Sequence, residues 1–487
     1  MAVKFYNYLS KKVELFKPLK SKRAGFYACG PTVYNYAHIG NLRTYIFEDI
    51  LKRALEFNGY EVKYVMNITD VEDKIIRDSK KAKKNILDFV KPYEKAFFED
   101  LKKLNIEKAY KYPKATQHIK EMIKIIKVLL KKGLAYKADN SIYFDISKFK
   151  SYGKLSGLKS RELSAQGGSA SGGKVGARAR PTEGSFGRID VDEYSKTDAE
   201  DFVLWKAVKA GEPSWNAPFG KGRPGWHIEC SAMSMKYLGE TFDIHTGAVD
   251  LIFPHHENEI AQSEGATGKP FVKYFVEGEH LLVNGEKMSK SFGNIYTLRN
   301  IEVKGFDPLA FRYLVLTAHY RSKLNFTWKS LEAAQNALDN LRRIIVDLKI
   351  EAQRKNIPKQ HSNILQNVGM FRKRFTEKFK NYINDDLKTP KALALLWDIV
   401  KSEKLNAKTK YNLIIDFDKI FGLKIVSLRD ISRREKKIPV SVLKLAKERE
   451  KYRKEKNFAK SDELRKKIES LGWLIDDSPS GPKLKQK

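Results

Sequence analysis

Four side chains that bind soft divalent metal ions are spread widely along this sequence. Two are the only cysteines of the 487-residue chain, Cys29 and Cys230. The other two, His255 and Glu259, stand four residues apart at the start of a predicted helix and therefore share one face. Two thiolates, an imidazole and a carboxylate in tetrahedral reach are typical of a zinc site. The spacing leaves open an alternative, a surface helix whose first-turn glutamate only complements the helix dipole.

Two short motifs are suited to binding a polyphosphate. In "HIGN", at a predicted strand-to-helix turn, Gly40 lets a nucleotide approach the backbone, the helix N-terminus attracts phosphate and His38 donates a hydrogen bond. In "NGEKMSKSFGN", Lys287 and Lys290 follow an Asn-Gly turn and can neutralise charge on a leaving pyrophosphate. Each motif alone is compatible with a solvated loop. Their joint occurrence in one α/β region indicates a nucleotide site.

The elements around these residues predict a doubly wound parallel sheet. Alternation and aromatic residues predict a strand over Arg23–Gly30, and helical spacing of apolar residues follows from Gly40 to Asn58. A second strand over Tyr60–Ile68 and a helix over Glu72–Ala82 complete a right-handed parallel unit. Ligands of such sheets bind beyond the carboxyl ends of the strands, where Cys29 would lie.

The rest of the chain alternates between packed and exposed segments. Helical patterns extend from Ile86 to Lys132, and the glycine-rich stretch Ala165–Gly187 predicts a flexible surface loop. A second strand-and-helix region extends from Pro224 to Asn300. Helices dominate after Phe306, and the clearest ones are predicted at Leu331–Leu348, Lys391–Val400, Val442–Asn457 and Ser461–Leu471.

Composition narrows the class of protein. Lysine and arginine number 93 against 59 aspartates and glutamates, a net charge of +34 that favours a polyanionic partner such as nucleic acid. No apolar run reaches the roughly 18 residues of a membrane span, and the N-terminus is too polar for a secretory signal. Two cysteines are too few for a disulfide framework. We therefore expect a cytoplasmic protein without membrane contact.

Several longer motifs of this sequence resemble those of a known protein family. The sequence resembles the cysteinyl-tRNA synthetases, which are class I aminoacyl-tRNA synthetases, over almost its whole length. "HIGN" stands where the class has HIGH, and Lys287–Ser291 matches KMSKS without change. The matching strings are "CGPTVYNYAHIGN", "NITDVEDKI", "DFVLWK", "RPGWHIECSAM", "FPHHENEIAQSE", "GEKMSKSFGN", "NDDLKTPKAL" and "KSDELRKKIESLGWLIDDSPSG".

The resemblance implies a division of the chain into five regions. A Rossmann-like catalytic domain, interrupted by an insertion, would precede an all-α helical bundle and a small C-terminal domain. These regions are residues 1–135, the first half of the catalytic domain; 136–223, the connective insertion with the glycine-rich loop 165–187; 224–305, the second half with the zinc ligands and KMSKS loop; 306–405, the stem-contact and bundle region; and 406–487, the anticodon-binding region.

The resemblance also implies roles for individual residues. It assigns one zinc ion per subunit to Cys29, Cys230, His255 and Glu259, the set that donor chemistry also favours. His38, Gly40 and Asn41 would hold ATP, which binds with Mg²⁺, and Lys290 with Lys287 would stabilise the leaving pyrophosphate. The amino-acid pocket would include Thr69, Trp226, His245 and Asp250. Two of these have plain alternatives, since Trp226 could be a core residue and Asp250 a helix cap.

The implied zinc explains how cysteine is selected. A hydrophobic pocket separates near-isosteres by only about 10- to 200-fold. A bond from zinc to the substrate thiolate rejects serine through ligand chemistry, and no stretch resembles an editing domain. Catalytic zinc usually keeps one coordination position open for the substrate. With four protein ligands, either the substrate thiolate binds the zinc as a fifth ligand or Glu259 loosens from it.

The predicted activity is the ATP-dependent activation of L-cysteine and its transfer to tRNA(Cys), by a monomer. Two alternatives remain open. A ligase that joins cysteine to an amino sugar in mycothiol synthesis shares the zinc and nucleotide machinery but lacks the long C-terminal extension. A tRNA-binding paralogue without catalysis would have lost at least one of the motifs, and all are intact here.

Overall fold

A computed structural model of the chain describes residues 2–158, 188–189, 201–288, 293–353, 362–425, 440–455, 457–478 and 481–486. The chain forms two compact units, residues 1–425 and 426–487. Two segments discussed above lie outside the described residues: the glycine-rich stretch 165–187, and residues 289–292 with Lys290.

The first unit contains fourteen of the strands and twelve of the helices in the described part of the chain. Its strands are β1 (Lys4–Asn7), β2 (Lys12–Leu15), β3 (Arg23–Ala28), β4 (Glu61–Met66), β5 (Ala135–Ala138), β6 (Ser141–Phe144), β7 (Arg188–Ile189), β8 (Asp201–Ala207), β9 (Gly222–Pro224), β10 (Phe242–Ala248), β11 (Val272–Gly278), β12 (Leu281–Val283), β13 (Glu286–Lys287) and β14 (Leu324–Phe326). Its helices are α1 (Ile39–Phe57), α2 (Asp73–Lys81), α3 (Ile86–Lys103), α4 (Ile119–Lys131), α5 (Trp226–Leu238), α6 (Glu257–Thr267), α7 (Leu298–Val303), α8 (Pro308–Leu316), α9 (Trp328–Gln353), α10 (Ser362–Asn384), α11 (Thr389–Lys401) and α12 (Ala407–Phe421).

A four-stranded parallel sheet in the order β11-β10-β3-β4 forms the centre of this unit. Successive side chains of a strand point to opposite sides of the sheet, and helices pack on both sides. The Tyr64 hydroxyl of β4 approaches Glu48 of α1 to 3.5 Å. The next residue, Val65, belongs to the apolar core that also contains Ile228 and Cys230 of α5. The predicted doubly wound parallel sheet is therefore confirmed.

A second sheet is inserted between β4 and β10. Its strands pair in the order β5-β6-β8-β7, with β9 on β8, and most pairs are antiparallel. The first six residues of β8 are buried, since both faces of this strand are covered. The segment "DFVLWK" is therefore packed on both sides, and the chain continues from it to β9 and α5.

A tight hairpin precedes the lysine motif. Asn284 and Gly285 both have positive φ angles, 52° and 84°, as an Asn-Gly hairpin turn requires. The hairpin joins β12 to β13, and β12 also pairs with β14. It places Lys287 at the end of β13, directly before the segment that is outside the described residues.

The helical bundle is joined to α1 by a buried arginine. Arg312 of α8 is fully buried, and its Nη2 donates to Asp49 Oδ2 of α1 at 2.5 Å. Its Nε donates to the carbonyl of Phe421 at 2.6 Å, and its Nη1 to that of Leu104 at 3.0 Å. Helix α12 therefore packs within the first unit, which extends to Ile425.

The second unit is small and has its own apolar core. It contains α13 (Val440–Lys454), α14 (Phe458–Ser470) and a hairpin of β15 (Trp473–Ser478) and β16 (Gly481–Gln486). The core is formed by Val442, Ala446, Ile468, Trp473 and Ile475. Both helices lie where the sequence predicted them, and Gly472, at φ 82°, ends the second; the hairpin was not predicted.

None of the helices in the described part of the chain combines the length and the apolarity that crossing a membrane requires.

Candidate active site

A cavity of about 370 Å³ opens beyond the carboxyl ends of β3 and β10, where the parallel sheet predicts a ligand site. Three groups of side chains line it. At one end lie Cys29, Cys230 and His255, and at another lie His38, Gly40 and Met288. The third group comes from the loop after β3 and the start of α2. The motifs singled out from the sequence therefore meet around one space.

The four predicted metal donors lie together at the first end. One donor atom from each of Cys29, Cys230, His255 and Glu259 lies within 4.8 Å of the other three, and all four residues are buried. The two sulfur atoms are 4.0 Å apart, and Cys29 Sγ is 3.9 Å from Glu259 Oε1. His255 Nε2 is 3.1 Å from the same oxygen. A buried set of two sulfurs, a nitrogen and an oxygen fits a divalent zinc ion.

A second set of donors overlaps the first and was not predicted. Cys29 and Glu259 also lie within 4.8 Å of His245 and His256. His256 Nε2 is 3.5 Å from Cys29 Sγ, and His245 Nε2 is 2.9 Å from Glu259 Oε2. The sequence carried a signal for this set in its paired histidines, 255 and 256. His245 and His256 are not among the described residues that line the cavity, so the second set lies behind the first.

The electrostatics of the first set favour a cation. The hydrogen bond from the Cys29 thiol outweighs burial and lowers the pKa of Cys230 to about 6. Burial, reinforced by Cys230, raises the pKa of Cys29 well above its usual value. Burial also opposes charge on Glu259, but His245 and His255 outweigh it and hold its pKa well below the usual range. Two donors are thus anionic at neutral pH.

The imidazole of His255 is held by two aromatic neighbours. Burial lowers the pKa of this ring, but hydrogen bonds with Cys230 and Glu259 together outweigh burial and raise the pKa to about 10. Burial lowers the pKa of His227, so this ring is neutral and its Nδ1 accepts from His255 Nδ1 at 2.9 Å. The ring of Trp226 lies 4.3 Å from that of His255. These contacts direct Nε2 of His255 towards the other donors, and metal binding would replace its proton.

The "HIGN" residues form the N-terminal cap of α1. His38 Nδ1 accepts from the backbone N–H of Asn41, and the His38 N–H donates to Asn41 Oδ1, both at 3.2 Å. Because Nδ1 is an acceptor, the ring proton lies on Nε2. Burial lowers the pKa of His38, although the charge of Asp250 opposes the shift. The neutral ring therefore presents an N–H donor at a helix N-terminus.

The segment around the lysine motif contacts this cap. The Ile39 N–H donates to the Tyr296 carbonyl at 2.8 Å. A Cβ added at Gly40 would lie 2.5 Å from the methyl group of Met288. A side chain at this position would therefore displace the end of Met288 and crowd the His38 ring, which would lie 3.0 Å away. Lys287 lines the cavity and is exposed, whereas Lys290 lies outside the described residues.

The four predicted pocket residues differ in their positions. Thr69 is buried, Trp226 half-buried and Asp250 exposed, and all three line the cavity. Trp226 is thus not enclosed in the core, and Asp250 lies in a short turn, Val249–Leu251, within electrostatic range of His38. His245 is fully buried and contacts the carboxylate of Glu259 instead of the cavity.

Comparison with known proteins extends these observations over the whole chain. Residues 15–336 match the family model described as tRNA synthetases class I (C) catalytic domain. The chain is 45% identical over 494 residues to a cysteine–tRNA ligase of Brachyspira hyodysenteriae, which covers 99% of both proteins. It is 44% identical over 505 residues to that of Leptospira interrogans, covering 100% of this chain and 99% of the relative.

Solved structures show the same fold at low sequence identity. Mycobacterium tuberculosis methionyl-tRNA synthetase in complex with methionyl-adenylate has a TM-score of 0.56 at 13% identity, over 82% of this chain and 89% of that one. The agnB2 LeuRS of Agrobacterium radiobacter K84, in a ternary complex with tRNA and LeuAMS, has a TM-score of 0.57 at 10% identity, over 84% of both chains. The predicted synthetase-type α/β fold is confirmed.

Proposed function

The chain belongs to the cysteine–tRNA ligase family of class I aminoacyl-tRNA synthetases, and we propose that it attaches L-cysteine to the 3′-terminal ribose of tRNA(Cys) with ATP. The enzyme is a ligase that acts in two steps. The carboxylate of cysteine attacks the α-phosphorus of ATP and displaces pyrophosphate. The 2′-hydroxyl of the tRNA end then attacks the carbonyl carbon of cysteinyl-adenylate and displaces AMP. The single observation that carries this proposal is the meeting of the metal donors and the "HIGN" cap at one cavity.

We assign the metal to the set that lines the cavity. Cys29, Cys230 and His255 face the space where cysteine would bind, and Glu259 completes the set from behind them. A zinc ion in this site would supply a Lewis acid that binds the soft thiolate of cysteine well and the hydroxyl of serine poorly. His245 would act as a positioning residue, because it binds the Oε2 atom of Glu259 and leaves Oε1 towards the thiols.

The remaining pocket residues would hold the amino-acid backbone of the substrate. The Asp250 carboxylate is exposed in the cavity and would pair with the ammonium group. Trp226 and Thr69 would wall the pocket, and Thr69 is fixed by the Asn67 amide, whose Nδ2 donates to its hydroxyl at 3.2 Å. The carboxylate of cysteine would then point towards the "HIGN" cap, where ATP enters.

The protein's part in the activation step is positioning and charge stabilisation. The Nε2–H of His38 would donate to a phosphate of ATP. The Asn41 side chain uses Oδ1 in the cap, so its amide Nδ2 is the group that would donate to the nucleotide. Lys287 and Lys290 would neutralise the departing pyrophosphate, together with the Mg²⁺ that accompanies ATP.

The two helical regions would bind tRNA. The net charge of +34 supports contact with phosphates, which dominate protein–RNA electrostatics. We propose that the bundle of the first unit contacts the body of the tRNA and that the second unit contacts its anticodon. A monomer in the cytoplasm remains our prediction for the assembly and location.

Cysteine-dependent exchange of pyrophosphate into ATP, measured first without tRNA and followed by charging of tRNA(Cys), tests the proposal. We expect both activities, and we expect serine to support neither. Exchange without charging would favour the amino-sugar ligase. Neither activity, with RNA binding retained, would favour a paralogue that only binds tRNA.

A further inference from the structure

One part of the cavity wall is used neither by the metal set nor by the "HIGN" and KMSKS residues. We call it the tyrosine rim: Tyr34, Asn35 and Tyr36 in the loop after β3, with Glu72 and Lys74 at the start of α2. The proposed reaction brings three substrates to this cavity. Cysteine and ATP account for the other two parts of the wall, so the rim is available to the third substrate, the end of the tRNA.

Tyr36 is the most exposed aromatic side chain of the rim. It is 47% exposed although it lines a cavity. The ring packs against that of Tyr93 of α3 in a T-shaped pair, with ring centroids 5.1 Å apart and planes at 77°. Tyr93 is itself packed against Phe89 of the same helix, at 5.4 Å. The ring of Tyr36 is thus packed against an aromatic cluster, while nearly half of the residue's surface remains exposed.

An exposed, supported aromatic ring at the mouth of a nucleotide site suits one kind of ligand. Single-stranded RNA ends carry unpaired bases, which bind proteins by stacking on aromatic side chains. The rim also carries a cation, since Lys74 Nζ lies 5.4 Å from the centre of the Tyr34 ring, and an ammonium group there favours the approach of a phosphate. The base and the phosphate of a terminal nucleotide would each find a suitable neighbour in Tyr36 and Lys74.

We propose that Tyr36 stacks on the base of the 3′-terminal nucleotide of tRNA and thereby holds its ribose beside the adenylate. This inference rests on the proposed function and names the residue that receives its RNA substrate. Tyr36 is a binding residue in this proposal, and it has no part in the activation of cysteine. Its contribution is therefore confined to the transfer step.

Variants of Tyr36 separate the two steps. We expect Tyr36→Ala to leave pyrophosphate exchange without tRNA within about twofold of the native enzyme. The same variant should lower kcat/KM for tRNA in charging by roughly 5- to 150-fold, the range that stacking on one base contributes. Tyr36→Phe keeps the ring and should charge tRNA nearly normally. Tyr110→Ala, which removes a 66% exposed tyrosine outside the cavity, is the matched control and should have no effect.

A tRNA whose terminal nucleotide lacks its base identifies the partner of the ring. With the native enzyme, this abasic tRNA should be charged about as poorly as intact tRNA is charged by Tyr36→Ala. Combining the abasic tRNA with the variant should then add little further loss, because both changes remove the same contact.

Three results would overturn the inference while leaving the proposed function intact. The first is normal charging of tRNA by Tyr36→Ala. The second is a fall in pyrophosphate exchange by this variant that equals its fall in charging, with a raised KM for ATP. The third is a combined loss, for the variant with abasic tRNA, that equals the product of the two separate losses. The second result would place Tyr36 against the ATP base instead. Absence of both exchange and charging in the native enzyme would instead refute the proposed function itself.

Discussion

Glu259 belongs to both overlapping donor sets, and its contacts decide between them. Its Oε2 is held by His245 at 2.9 Å, while its Oε1 lies 3.1 Å from His255 Nε2 and 3.9 Å from Cys29 Sγ. One oxygen is thus anchored and the other points into the set that contains Cys230. Outer neighbours of metal ligands orient them in this way in many zinc proteins. We therefore expect the ion on the side of Cys230 and His255.

Asparagine substitutions of the two adjacent histidines test this choice. His255→Asn removes one of the proposed ligands, so we expect the purified protein to lose its zinc and its cysteine-dependent exchange to fall by more than about 100-fold. His256→Asn should retain zinc, with a loss of activity no greater than the roughly 10- to 100-fold of an outer-neighbour change. Metal analysis and exchange assays measure both, with thermal unfolding as the control for folding. Zinc lost from His256→Asn and kept by His255→Asn would favour the second set.

A half-buried carboxylate on α3, that of Asp100, contributes to the pH dependence of stability. Burial raises the pKa of Asp100 to about 7, with the nearby charge of Lys103 opposing the shift and those of Glu302 and Glu99 adding to it. The ordinary pKa in an unfolded chain is about 3.9. Between these values the folded state binds more protons than the unfolded state, so stability falls as the pH rises from about 4 to about 7.

Asp100→Asn removes this ionisation. We expect the substitution to raise the free energy of unfolding at pH 8 by about 1 kcal/mol or more beyond its effect at pH 5. At pH 5 the carboxyl group of the folded native protein is protonated, so the substitution removes no charge there. Urea unfolding of both proteins at the two pH values measures the difference. An equal effect of the substitution at pH 5 and pH 8 would contradict the linkage.

At the scale of elements, the loop after β3 decides whether the site forms. The parallel pairing of β3 and β4 continues past both strands through a bridge between Thr32 and Thr69. Gly30 lies between Cys29 and this bridge, and its N–H donates to Asn67 Oδ1 at 2.9 Å. A Cβ at Gly30 would lie 1.8 Å from the Asn67 carbonyl oxygen, so any side chain must displace the backbone. The same loop leads on to Tyr36 and His38.

Alanine substitutions of two glycines in this region distinguish a steric clash with the backbone from the general effect of replacing a glycine. Gly30→Ala should destabilise the protein by about 2 kcal/mol or more, as forced overpacking does. It should also weaken metal binding, because Cys29 is adjacent. Gly25→Ala in β3 is the matched control, since its Cβ would make only an ordinary contact of 3.5 Å with Phe242. Chemical unfolding and metal analysis give the two readouts, and equal effects of both substitutions would refute the steric argument.

At the scale of the whole first unit, the buried arginine ties catalytic and helical parts together. Arg312 bonds α1 through Asp49, the end of α12 through Phe421 and the end of α3 through Leu104. Asp49 also accepts from Arg53 Nε at 2.7 Å. Helix α1 begins at the "HIGN" cap, so the bundle is fixed to the element that would hold ATP.

Removing one partner of this buried pair should be strongly destabilising. Arg312→Met leaves the carbonyl groups and part of the Asp49 charge without their partner, and we expect a loss of about 3 kcal/mol. Lys269→Met, which breaks the exposed ion pair with Glu240, is the control and should change stability by less than about 1 kcal/mol. Denaturant unfolding measures both. A loss of stability for Arg312→Met as small as that of the control would mean that the contacts of Arg312 do not stabilise the first unit.

Much of the architecture was predictable because it is local. Apolar residues at helical spacing placed α9 and α11 within a few residues of their ends, and the Asn-Gly pair marked the hairpin before the lysine motif. The hairpin of β15 and β16 was missed because the three apolar residues of β15 are consecutive instead of alternating with polar ones, and because each strand pairs only with the other. The limit of the first unit at Ile425 depends on the packing of α12, which local spacing along the chain does not show.

The sequence by itself determined the chemistry available to this protein: two thiols, an imidazole and a carboxylate, a glycine-containing helix start, and a lysine-bearing loop. Only the tertiary structure decided which of these side chains meet. It brought His245 and His256 behind the first donor set, and it supported the exposed ring of Tyr36 with Tyr93. The physical reason is that spacing along a chain specifies a local face, whereas side chains from distant segments converge only through the packing of whole elements.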